Sequence, residues 1–91
     1  MNDLLGVTLM DNNIISELMD IFPKITIVGK DEIIIENHNG VEFFGKNDIT
    51  IITKVGKISL YGDDFKIVFM AGGTIVINGM IKKVEFENYD K

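Results

Sequence analysis

The 91-residue chain contains no cysteine, a single proline and a single histidine. The missing thiols exclude disulfide staples, zinc knuckles, iron–sulfur ligation and cysteine nucleophiles together. No run reaches the ~18 to 20 consecutive apolar residues that a membrane-spanning helix needs. The opening Met1-Asn2-Asp3 is acidic, unlike the basic start of a secretory signal. A cytoplasmic protein is expected, with no direct membrane insertion and any membrane contact made through a partner. Positive charge is also scarce: nine lysines, scattered along the chain, face 14 acidic residues, for a net charge of -5. Such a balance repels phosphate backbones, and the few aromatics do not interleave with lysines as a base-stacking platform requires. Nucleic acid is not an expected partner.

What the chain does have is an ordinary globular composition, 46% hydrophobic and 25% charged. Its length suits one domain over 1-91, with a core small enough that a homo-oligomer or a partner would add to its stability. Residues 1-10 read as a loose arm. Ile14, Ile15, Leu18, Met19 and Phe22 then recur at helical spacing behind the capping candidates Asp11, Asn12 and Asn13. Pro23 ends that pattern, which predicts a short amphipathic helix over 11-22.

From Lys24 the pattern changes to short runs of Ile, Val, Phe and Thr closed by Gly, Asn or Asp, the mark of strands joined by tight turns. Eight strands are expected, near 24-29, 32-36, 41-44, 49-54, 57-61, 65-70, 74-78 and 81-87, making the fold mostly β. Gly29, Gly45, Gly62 and Gly79 stand 16, 17 and 17 residues apart. An alternating apolar pair precedes each of them (Ile25 and Ile27, Val41 and Phe43, Ile58 and Leu60, Ile75 and Ile77) and a second strand follows. The β-repeat region 24-87 therefore reads as four two-strand units with glycine corners held at positive φ. The period suits a compact β-meander or sandwich, and equally a short β-solenoid. Ile33-Ile34-Ile35, Ile67-Val68-Phe69 and Ile75-Val76-Ile77 are apolar at consecutive positions, so both faces of those strands need cover.

Residues with chemical potential are few. His38, within Glu36-Asn37-His38-Asn39-Gly40, sits in good turn chemistry, and neither Ser16 nor Ser59 lies in a nucleophile elbow. Asp63-Asp64 and Asp31-Glu32 are adjacent carboxylates beside corner glycines, where solvated turns explain them. Gly72-Gly73 lacks the Lys-Ser/Thr of a phosphate loop and suits a tight hairpin. No catalytic, cofactor-binding or metal residues are assigned. Phe43 and Phe44 are neighbours that cannot both face one core, so one of them is a candidate contact residue.

Phe22-Pro23-Lys24-Ile25-Thr26-Ile27-Val28-Gly29, then Ile35-Glu36-Asn37-His38-Asn39-Gly40, resembles the YabP/YqfC family of sporulation proteins, with Gly56, Gly62, Gly79 and Ile81 matching its strand-rich tail with regularly placed glycines. The likeness spans roughly residues 20-87, and the YqfC branch is the nearer one. Phe22, Lys24 and Asn39 depart from that branch's Leu, Arg and Arg. The resemblance implies a small non-enzymatic protein of endospore formation, in the mother cell and peripheral at the forespore envelope, whose candidate partner is an integral membrane protein. The expected role is an assembly or adaptor module contacting its partner through Phe43, Phe44 and His38. Two alternatives remain: a self-assembling β-solenoid scaffold, and a small ligand-binding or hydrolytic domain using His38, Asp63 and Asp64.

Overall fold

A computed structural model describes residues 21-88. The arm over 1-10 and the helix over 11-22, up to residue 20, lie outside the described residues. Six strands make a single antiparallel sheet: β1 (Lys24–Val28), β2 (Glu32–Glu36), β3 (Gly40–Phe44), β4 (Asp48–Ile52), β5 (Gly56–Ala71) and β6 (Thr74–Asn88), in the order β1-β2-β6-β5-β4-β3. Six strands stand where eight are expected, because two of the anticipated glycine corners are not turns. Gly29 and Gly45 do sit in the turns of the β1–β2 and β3–β4 hairpins, whereas Gly62 and Gly79 lie inside the 16-residue β5 and the 15-residue β6. There the ladder slips at Tyr61/Gly62 and again at Asp63/Lys66, and these bulges bend both long strands at one level.

The bend folds the sheet onto itself. One layer holds β1, β2, the first half of β6 and the second half of β5; the other holds β3, β4, the first half of β5 and the second half of β6. Ile33 and Ile35 pair with Ile77 and Ile75 in the first layer, and Ile49 and Ile51 pair with Leu60 and Ile58 in the second. β2, β4 and the first halves of β5 and β6 alternate buried with more exposed residues, so these eight side chains share one core with Phe65, every one of them 0–2% exposed. The two layers are related by an approximate two-fold, visible also in the main chain at the bend. Gly79 and Ile81 N–H donate to the Asp31 and Lys30 carbonyls of one hairpin turn, each at 3.0 Å. Gly62 and Phe65 N–H donate to Asn47 and Lys46 of the other, at 3.0 and 2.8 Å.

The four-unit repeat is thus real, but its units differ in kind, two hairpins and two bent strands. The reason for its glycines also differs from the expected one. Gly29 and Gly79 have φ of 60° and 147°, as anticipated, while neither Gly45 nor Gly62 has a positive φ. What Gly62 supplies is room: a Cβ there would collide with the Met80 carbonyl oxygen and lie 2.9 Å from the Phe65 ring. The Gly72-Gly73 pair is the tight hairpin foreseen, joining Ala71 to Thr74 with φ of 57° and 83°. Antiparallel pairing throughout makes this a folded two-layer sheet; the parallel coil of a β-solenoid is absent among the described residues.

At the end away from the bend, the loops converge. Thr53, buried at 1% exposure, is satisfied there: its Oγ1 donates to the Gly56 carbonyl at 2.7 Å and accepts the Val55 N–H at 3.1 Å. The doubly apolar runs have two explanations. Ile34, Ile52 and Val76 lie half-buried on outer faces, and Ile67-Val68-Phe69 contains a bulge.

Candidate functional site

β3 is an edge strand, and so is the second half of β5 in the opposite layer. Both carry a bulge, at Val41/Phe43 and at Ile67/Phe69. The β3 bulge makes Glu42 the extra residue, placing Phe43 opposite Thr50 and Phe44 opposite Ile49. Phe43 therefore turns to the outer face, and Phe44 lies on the rim of the inner one. The expectation that one of the two is a surface residue understates the result, since they are 52% and 44% exposed. On β5 the bulge similarly leaves Val68, Phe69 and Met70 each about half exposed.

The start of β3 and the end of β5 are joined through a loop. His38 N–H donates to the Gly73 carbonyl at 3.0 Å, tying the loop that starts β3 to the turn that ends β5. The two edges thus carry two exposed apolar stretches, Phe43 and Phe44 at the bend end of β3 and Val68, Phe69 and Met70 towards the loop end of β5. On the β3 edge, Glu42 is ion-paired with Lys57 at 3.0 Å. From the sequence, Val68 and Phe69 read as part of a doubly apolar run needing cover and not as contact residues. The available signal was the run Ile67-Val68-Phe69-Met70, which no two-faced strand can bury entirely without a bulge or a cover.

His38 belongs to the frame of this junction. Its Nδ1 accepts the Gly40 N–H at 2.9 Å, and its Nε2 is buried with no hydrogen-bond partner among the described residues. Asn37, at φ 68°, donates from Nδ2 to the Phe22 carbonyl at 3.0 Å, and Asn39 N–H donates to Ile52 at 2.7 Å. The Asn-His-Asn-Gly segment thereby ties the entry to β1, the end of β4 and the β5–β6 turn together. The carboxylates sit at the other end of the strands, ~17 Å away at five residues of rise. Asp63 pairs with Lys82 at 3.0 Å, and Asp64 approaches Lys46 at 4.0 Å with both side chains about 80% exposed. His38 is not brought to Asp63 or Asp64. No group of three or more His, Cys, Asp or Glu residues gathers among the described residues. A shallow hollow by the bend is lined by Lys46, Asp64, Phe65, Lys66, Asn78 and Gly79. Among the described residues no helix is long and apolar enough to cross a membrane.

The two bulged edges thus present large apolar side chains to solvent. The YabP family model matches residues 22–91. The chain is also 35% identical over 69 residues to the uncharacterized protein YqfC of Bacillus subtilis (strain 168), covering 76% of this chain and 73% of that one. The chain belongs to the YabP family. No solved structure matches it.

Proposed function

We propose that this protein is a non-enzymatic adaptor of endospore formation that binds an integral membrane protein at the forespore envelope through the flank formed by Phe43, Phe44, Val68, Phe69 and Met70. The sporulation role rests on membership of the YabP family. The adaptor role rests on one observation: two bulged edges, from opposite layers, both expose large apolar side chains. Bulges discourage a partner strand from continuing the sheet, so the flank favours side-chain docking over strand addition. Aromatic anchors of this kind carry much of the energy at protein interfaces. His38 acts by holding the loop that orients β3, and the mother-cell cytoplasm is where such a peripheral protein would work.

The test is co-purification from sporulating cells after crosslinking, comparing the parent with a Phe44→Ser/Phe69→Ser variant. Recovery of an envelope membrane protein with the parent and its loss with the variant is expected. Equal recovery with both would place the contact elsewhere.

A further inference from the structure

The folded sheet has four edges, and three of them are guarded. β3 and the second half of β5 are bulged, and the second half of β6 is lined with Lys82, Lys83, Glu85 and Glu87. Bulges and charges are the usual protections against edge-to-edge pairing. β1 has neither: Lys24-Ile25-Thr26-Ile27-Val28 pairs with β2 over five residues without a register shift, and its one charge is at the first position. Among the described residues β1 pairs with β2 alone, so its other edge has no strand beside it.

We infer that β1 is the pairing edge for a second copy of this chain, joined antiparallel about Thr26 to make one eight-stranded layer across a two-fold axis. The sequence of β1 is self-complementary in that register. Thr26 meets Thr26 of the second copy, Ile25 meets Ile27, and Lys24 meets Val28, so no like charges are opposed and apolar residues pair on the inner face. The same inner face offers a reason for the contact. Phe86 pairs with Ile58, and so points into the sandwich, yet it is 68% exposed, and Ile27, on the inner face of β1, is about half exposed. Pro23 and Phe86 line a common hollow, which puts Phe86 beside the start of β1. A second copy continuing the layer would extend cover over these side chains. A five-residue edge falls short of the ~1,200 Å² of a stable interface, so the dimer is weak and concentration-dependent. This pairing leaves both β3/β5 flanks at the outer ends of the dimer, and it does not depend on what they bind.

The experiment is sedimentation equilibrium of the full chain up to millimolar concentration, with Thr26→Lys, Thr26→Glu and their equimolar mixture. The parent should dimerise. Each variant alone places like charges opposite one another on the axis and should associate about fivefold more weakly, while the mixture should recover dimers of mixed composition. Melting curves confirm that both variants are folded. The proposal is overturned by a parent that stays at one-chain mass throughout, by variants that dimerise as the parent does, or by folded variants whose mixture does not recover.

Discussion

Replacing Gly62 tests the bend directly. A Cβ at this position would overlap the Met80 carbonyl oxygen and approach the Phe65 ring to 2.9 Å. Relief requires β5 and β6 to separate where Phe65, 2% exposed, closes the core, and where Gly62 N–H reaches Asn47 at 3.0 Å. Overpacking of a closed core costs ~1–3 kcal/mol, and a strained or broken main-chain bond adds ~1 kcal/mol. Gly62→Ala should therefore lose ~2–4 kcal/mol, a large part of the ~5–10 kcal/mol available to a domain this size. At ~4–8 °C per kcal/mol, the melting temperature should fall by more than ~8 °C, and Gly62→Val should fall further. Gly29→Ala is the control, since φ there is 60° but nothing lies within 4 Å of the added carbon; only conformational strain of ~1 kcal/mol applies. Thermal unfolding followed by circular dichroism decides. If Gly62→Ala melts no lower than Gly29→Ala, the close approach at the bend is not what the glycine is for.

Three further outcomes follow from the core and the loop end. Ile51→Ala removes a fully buried side chain between the layers and should cost ~2–5 kcal/mol in urea unfolding. Thr53→Val removes the hydroxyl that joins Gly56 to Val55 and should cost ~1–3 kcal/mol by the same measurement. His38→Ala frees the Gly40 N–H and should cost ~1 kcal/mol, with His38→Asn retaining part of the stability because a side-chain amide oxygen can also accept from the residue two positions on.

The strands were legible because alternation survives in the sequence: Ile33/Ile35, Ile49/Ile51, Ile58/Leu60 and Ile75/Ile77 are the buried pairs. The repeat spacing was legible too, since the approximate two-fold leaves its mark at Gly29, Gly45, Gly62 and Gly79. Their differing roles were not. A glycine that lets a carbonyl pass and a glycine that turns a chain look alike until the neighbouring strand is in place. The same limit explains the flank. Phe43 and Phe44 stood out because adjacent strand residues face opposite ways, whereas Ile67-Val68-Phe69 read only as a run needing cover on both faces, because a bulge depends on register with β6, which is a long-range property. The Asn-His-Asn-Gly turn was readable from local chemistry, but its bonds to Gly73 and Ile52 were not.

The central claim, that this YabP-family protein serves spore formation through its β3/β5 flank, is tested most directly by the titre of heat-resistant spores from a strain whose chromosomal copy carries Phe44→Ser/Phe69→Ser, beside a deletion and a complemented strain. Both side chains are about half exposed, so the variant should accumulate to the parental level. The account predicts a titre as low as that of the deletion, with complementation restoring it. A parental titre from the flank variant, beside a deletion that is impaired, would contradict the flank; a parental titre from the deletion itself would contradict the role in sporulation.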